Sequence, residues 1–214
     1  MYHKSKTVLI CHNPKVLFIH NYKVAGTSIR YALRNFVPLD QRIISNLLYF
    51  IGKPKLGDRY IGLPKHSTAL AVRHAIGRKN YDLYFKFGLV RNPWDWEVSK
   101  YFYTLKNKRH REHHLVKKMA NFSEYIAWRA ENYRTQRSFF EDAEGKIIVD
   151  YIGKMETIDS VFSEMSTRLS IDIRPVKLNA SRDDAKYRQY FDEESRQTIE
   201  SIYAADIDCF GYEF

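Results

Sequence analysis

Lys23 and Arg91 sit in the same kind of setting: an apolar run, one cation, a tight turn, then an amphipathic stretch. The first segment is Lys15–Arg30, KVLFIHNYKVAGTSIR, and the second is Tyr84–Tyr103, YFKFGLVRNPWDWEVSKYFY. In the first, Ala25 and Gly26 are small enough for the backbone to approach a ligand. Free N–H groups at a helix start point outward from Val24 to Ser28, Thr27 and Ser28 add hydroxyls, and Lys23 adds a full charge. That set suits a phosphate or a sulfate. It is not a Walker A loop, because Lys23 precedes Gly26 and a second glycine is missing. In the second segment Arg91 follows FGLV at a strand end, where it can grip a phosphate through two parallel hydrogen bonds. Ser99 lies eight residues on, about two helical turns, and so returns to the same side. Two such turns side by side would receive a ligand with two separate anionic groups. The plainer alternatives are a capped strand–helix turn with a surface lysine, and a structural ion pair at Arg91.

The elements that must position these residues follow from hydrophobic period and punctuation. Val16–His20 reads as a buried parallel strand, and Thr27–Phe36 as its helix, with Ile29, Leu33 and Phe36 on one side and Pro38 as its end. Ile43–Ile51 is an apolar helix, and Gly52–Pro64 a loop. Ser67–Ile76 is a helix capped by Ser67 and stopped by Gly77. Leu83–Val90 is the second buried strand and Trp94–Leu105 its helix, with Pro93 in the first turn; Trp94, Trp96, Tyr101, Phe102 and Tyr103 are expected mostly to pack it down. Ser123–Asn132 is a helix capped by Ser123, Lys146–Ile152 a third strand, and Glu156–Leu169 the helix that follows. Asp192–Ala205 is the last helix, with acids in its first turn, and the tail FGYEF packs on the body. This alternation predicts an α/β fold with a parallel sheet and helices on both faces, in a single domain spanning 1–214, with 1–14 a lead-in or an edge strand.

Composition sets wider bounds. Of 214 residues, 44% are hydrophobic and 15% aromatic, enough for a core. Cys11 and Cys209 form no metal-type or redox motif, so a reducing compartment is the simpler reading. No apolar run approaches the ~20 residues that span a bilayer, and VLIC near the start is too short for a signal-peptide core. The net charge of +10 is uneven: residues 1–66 hold 11 Lys/Arg against 2 Asp/Glu, residues 67–138 hold 15 against 6, and residues 139–214 hold 9 against 17. The basic part attracts anions, but nucleic acid, an acidic glycan, an anionic membrane and a phosphorylated nucleotide all satisfy it.

Taken together, the two segments resemble the sulfotransferase family that uses 3′-phosphoadenosine 5′-phosphosulfate (PAPS), and within it the carbohydrate branch with bacterial relatives. YKVAGTS is similar to the family's 5′-phosphosulfate loop, with Tyr22 where proline is common. FGLVRNPWDWEVSKYF is similar to its 3′-phosphate motif, and DYIGKMETIDSVF and YFDEESRQTIESIYAADIDCFGYEF to later parts. The likeness runs over roughly residues 15–214. It implies a P-loop-like three-layer sandwich around a central parallel sheet. It also implies that Lys23, with Val24, Ala25, Gly26, Thr27 and Ser28, holds the 5′-phosphosulfate, and that Arg91 and Ser99 hold the 3′-phosphate. Arg188 falls in a late loop that closes over the nucleotide in relatives. The donor would be PAPS and the product PAP, with no metal required.

Sulfuryl transfer needs positioning, neutralisation of the leaving group, and a base for the acceptor hydroxyl. Lys23 suits the leaving group. Among eight histidines, His66 in LPKHSTA is the best placed base, lying between the two anion motifs as in relatives; Glu97 is next in line after it. His20 is expected to be buried and His74 structural or exposed. His110, His113 and His114 lie in the basic stretch Lys106–Lys118, read as a solvated face rather than a metal site, or as a contact for an acidic acceptor. Arg134, Gln136, Arg137 and Ser138 are similar to an acceptor-side element of the family, or else form a polar loop. The expected acceptor is a carbohydrate or polysaccharide, the expected setting cytoplasmic and bacterial, and no nucleic-acid or transmembrane partner is expected. The alternatives are a nucleotide or nucleoside kinase and a nucleic-acid-binding protein.

Overall fold

The computed structural model describes residues 7–37, 39–53, 55–56, 59–60, 62–173 and 186–214. Asn179 and Ser181, which position in the sequence alone offers as further candidate site residues, lie outside them. In chain order the elements are β1 (Leu9–His12), β2 (Lys15–Ile19), α1 (Gly26–Ala32), α2 (Leu39–Phe50), β3 (Lys55–Leu56), β4 (Arg59–Tyr60), α3 (Ala69–Ile76), α4 (Arg78–Tyr81) and β5 (Phe85–Val90). There follow α5 (Pro93–Lys106), α6 (His113–Val116), α7 (Phe122–Glu131), β6 (Tyr151–Lys154), α8 (Ile158–Leu169), α9 (Glu193–Ile202) and α10 (Ala204–Phe210). The chain divides into two compact units, Met1–Val90 with Ser138–Leu178, and Arg91–Arg137 with Asn179–Phe214.

The first unit is built on a four-stranded sheet in the order β1-β2-β5-β6. β1 runs antiparallel to β2 as an edge strand, while β2, β5 and β6 are parallel. Val16, Leu17, Phe18 and Ile19 are all fully buried. Successive strand residues point to opposite faces, so both faces of β2 are covered, which is why its sequence is a continuous apolar run. The same holds for β5, where Lys86 is the polar exception. Its ammonium lies 3.0 Å from Asp150 Oδ2, and its backbone N–H donates to the same oxygen. Gly88 is required where it stands, since a Cβ there would lie 2.1 Å from the Phe140 ring. Register pairs Ile19 with Gly88, so the carboxyl ends of β2 and β5 open at one sheet edge.

The third strand begins later than the run KIIVDYI predicts. Lys146–Ile148 folds back instead: Ile148 N–H donates to the Phe140 carbonyl, and Asp142 N–H to the Lys146 carbonyl. Only Tyr151–Lys154 joins β5. Two caps differ as well. Thr68 rather than Ser67 caps α3, accepting from Ala71 N–H, while the Ser67 hydroxyl donates to the Pro64 carbonyl. Asn121 rather than Ser123 caps α7, and the Ser123 hydroxyl donates to Asp192.

The second unit is helical. Trp96 on α5, Tyr125 and Ile126 on α7, and Ile199 on α9 with Tyr203 just past its end are all buried. Asp192 caps α9 in a reciprocal box with Ser195. The tail does pack: the Phe214 ring meets Trp94, Tyr187 and Phe191, and Asn92 Nδ2 donates to the Glu213 carbonyl. Tyr103 is the one α5 aromatic that departs from the packed expectation, at 44% exposed.

Candidate functional site

The turn that leaves β2 is where the first unit concentrates unusual chemistry. Two of its non-glycine residues, Lys23 (φ 58°) and Ala25 (φ 55°), adopt the left-handed conformation. Each costs on the order of 1–2 kcal/mol relative to ordinary backbone. Strain of this kind persists only where surrounding structure fixes it, and alternating backbone handedness turns N–H groups toward one concavity, a recurrent anion-binding form. No side chain caps α1. The helix runs seven residues rather than the ten predicted, breaking into a 3-10 turn at Arg34–Phe36, so a helix dipole is not what gives this turn its character. Val24 and Gly26 are buried, Thr27 is exposed, and Ala25 and Ser28 are half-buried.

His66 comes to this turn from 46 residues away. Its Nδ1 lies 2.8 Å from the His20 carbonyl oxygen. A carbonyl only accepts, so Nδ1 carries the proton and Nε2 holds the lone pair. The imidazole stacks on the Tyr22 ring at a 4.0 Å centroid separation and 22° interplanar angle, and tilts against His20 at 4.7 Å. The edge of Tyr22 meets Phe139 in turn. Burial pushes His66 down; its bond to the His20 carbonyl opposes this, and the charges of Lys65 and Arg30 add to the fall, leaving it at about 4. The ring is therefore neutral near pH 7.

His20 is buried as expected, and it is held well below the ordinary range by burial, then by Lys65, His66 and Arg30. It stacks on Phe18 and fills the space beside Gly26, where an added Cβ would sit 1.7 Å from its Nε2. Gly26 is thus needed for the close approach of a ring rather than for backbone freedom. Lys23, Lys65 and Arg30 make the surroundings of this turn electropositive.

The turn leaving β5 is built differently. Arg91 is buried, and both its Nε and Nη2 lie 2.6 Å from Asp95 Oδ2. Its backbone is clamped by Gln136, which accepts from Arg91 N–H at 3.0 Å and donates Nε2–H to the Arg91 carbonyl at 2.7 Å. Gln136 is fully buried and its own N–H donates to Asp206. It lies in an irregular segment, as the polar-loop reading has it, but its side chain is turned inward and buried. Asn92 caps α5, accepting from Trp94 N–H. Ser99 is half-buried on α5. Arg188 is exposed and donates to the Phe214 carbonyl at 2.7 Å, which makes it a clasp on the tail.

Glu97, the reserve base, is fully buried in a polar network. Lys100 Nζ and the Tyr203 hydroxyl reach Oε1, while the Tyr125 hydroxyl and Arg129 reach Oε2. Burial pushes this carboxyl up, but the Lys100 and Arg129 charges and the hydrogen bonds together bring it down to about 2. Burial likewise draws Lys100 down to about 8 against the pull of Glu97. A carboxylate so committed holds the helices together and is not an available base.

In the basic stretch, Lys106, Lys108, Arg109, Arg111, Lys117 and Lys118 are exposed, as the solvated reading predicts. His113 departs from it: the ring is buried and donates Nδ1–H to the Thr104 carbonyl, anchoring the segment. Among the described residues no group of three or more His, Cys, Asp or Glu is placed to hold a metal ion, and no helix is long and apolar enough to cross a membrane.

The sequence offers His66 and Lys23 as candidates, and the structure brings His66 to the Lys23 turn; the sequence did not point to Tyr22, whose ring backs the imidazole, or to Asp95, which occupies one edge of Arg91. Asp95 was findable, since Arg91 and Asp95 stand at i,i+4 spacing at a helix start.

No family model matches the chain. An archaeal protein of Archaeoglobus fulgidus, described only as an uncharacterized protein, is 26% identical over 130 residues, which is 56% of this chain and 97% of that protein. No solved structure matches.

Proposed function

We propose that this chain is a sulfotransferase that moves a sulfuryl group from PAPS to an acceptor hydroxyl, with a carbohydrate as acceptor. The observation that carries the reading is the placement of His66 on the Lys23 turn. Nδ1 is fixed as donor to the His20 carbonyl, Nε2 is left basic, and the ring is unprotonated at neutral pH beside a cationic, strained turn. In this reading Lys23 and the Val24–Ser28 backbone receive the phosphosulfate and neutralise charge on the departing phosphate. His66 Nε2 takes the acceptor hydroxyl's proton as its oxygen bonds to sulfur and the sulfur–oxygen bond to the phosphate breaks. Arg91, with Ser99, meets the 3′-phosphate, sharing its guanidinium with Asp95. The fold would be the family's P-loop-like sandwich.

At a value of about 4, His66 is by itself a weak base. A bound polyanion raises the affinity of a nearby imidazole for a proton, so donor binding itself would bring His66 toward working range. The test is calorimetric titration with PAP combined with an assay of sulfuryl transfer. His66→Ala should keep PAP affinity within about threefold and lose transfer by roughly 10²-fold or more. Lys23→Ala should damage turnover more than PAP affinity, because PAP lacks the sulfuryl group. Transfer should persist in EDTA, which a phosphotransferase using Mg²⁺–ATP would not allow. Absence of PAP binding by the parent protein would remove the reading altogether.

A further inference from the structure

Helix α2 presents an apolar stripe to the outside. Ile43, Leu47, Phe50 and Ile51 are 66%, 59%, 66% and 54% exposed. Their spacing of four, three and one places them on one side of a helix, within an arc of about 100°. Ile51 continues that side past the last full turn, its N–H donating to the Leu47 carbonyl. Gly52, at φ 68°, then closes the helix, with Lys53 N–H donating to the Leu48 carbonyl. The buried side of the helix includes Leu48 and a polar residue, Ser45. Among the α2 residues whose side chains are described, large apolar groups thus face outward, while Leu48 and Ser45 face in.

We propose that this stripe seats the protein on an anionic lipid surface. From Arg30 to Lys65 the sequence carries seven Lys/Arg against only Asp40 and Asp58. Lys53 is exposed two residues beyond the stripe. A second copy of the chain would have to bring two segments of this same net charge together. A bilayer with acidic headgroups accepts both features, the stripe at the acyl boundary and Lys53 at the phosphates. A helix of 12 residues, about 18 Å long, suits a position in the interface plane. The inference goes beyond the transfer reaction and does not depend on it.

Vesicle flotation at low salt tests it, with phosphatidylcholine alone against phosphatidylcholine carrying about one-third phosphatidylglycerol. The protein should float with the anionic vesicles and remain below with the neutral ones. Ile43→Glu with Leu47→Glu should weaken anionic binding roughly tenfold, and Lys53→Glu several-fold. In a Cys209→Ser background, an environment-sensitive fluorophore on Leu47→Cys should shift to the blue on the anionic vesicles, which keeps the test independent of whether the double variant folds. No preference for anionic vesicles overturns the proposal. So does binding that survives the double variant, which would assign it to another basic surface such as Lys106–Lys118. An unshifted fluorophore, or a dimer in sedimentation equilibrium that the double variant dissolves, would also overturn it, the last naming a second copy as the occupant.

Discussion

The turns after β2 and β5 are alike in sequence and unlike in construction. Both end parallel strands that are hydrogen-bonded neighbours, and both deliver a cation and then a helix. The Arg91 turn satisfies itself: a carboxylate four residues on takes the guanidinium, a buried glutamine takes the backbone, and Asn92 caps the helix. The Lys23 turn instead holds two strained residues, leaves its helix without a side-chain cap, and gathers two suppressed histidines. Internal satisfaction is what structural turns achieve. Strain and suppressed protonation are what cluster where a fold has a functional site. The pairing of Arg91 with Asp95 is the feature that most resists its assignment to a phosphate.

The sharpest way to break this contrast is one small change at each turn. Gly26→Ala drives a methyl into the His20 ring and should cost about 3 kcal/mol or more in urea unfolding. Pro93→Ala, at the first position of α5, should cost less than ~1 kcal/mol. Similar losses would mean that the first turn is no more tightly specified than the second.

Acid stability comes next in size. His20 and His66 are suppressed in the folded chain, so the unfolded chain binds more protons below its ordinary value of 6.5. Their contribution is fully present above pH 6.5 and declines as pH falls toward 4. For His66 the decline should amount to roughly 2–3 kcal/mol. Chemical denaturation between pH 7 and 4 should show this slope, and His66→Gln should flatten it.

Asp95→Asn sharpens the other side of the contrast. It should cost about 1–2 kcal/mol of stability by loosening Arg91. If Arg91 also meets a phosphate, the same change should tighten PAP several-fold in calorimetry. Unchanged affinity would leave Arg91 a purely structural residue. The smallest effect is Ala25→Gly, which should add about 0.5–1 kcal/mol in a thermal melt by relieving the left-handed backbone.

β2 and β5 were legible because a strand covered on both faces reads as an unbroken apolar run, and their helices because Pro93 and the 3.6-residue period mark them. β6 was not, because KIIVDYI offers two equally apolar halves; what selects Tyr151–Lys154 is packing from outside the run, with Gly153 lying under Val161 and Asp150 paired to Lys86. Helix caps were misplaced by one or two residues because neighbouring polar side chains compete for the role. At the site, residue types announced Lys23 and the position of His66. The left-handed backbone, the Tyr22 stack, the Gln136 clamp and the Glu97 network were hidden because each depends on partners far along the chain. Glu97 alone gathers groups from α5, α7 and the residue after α9.

The central claim is that the Lys23 turn takes an anion which tunes His66, and an NMR titration of the His66 imidazole with and without PAP measures it directly. The ring should titrate at about 4 in the free protein, move upward by roughly one pH unit with PAP bound, and lose that response in Lys23→Ala. A His66 that titrates identically with and without saturating PAP would contradict the account.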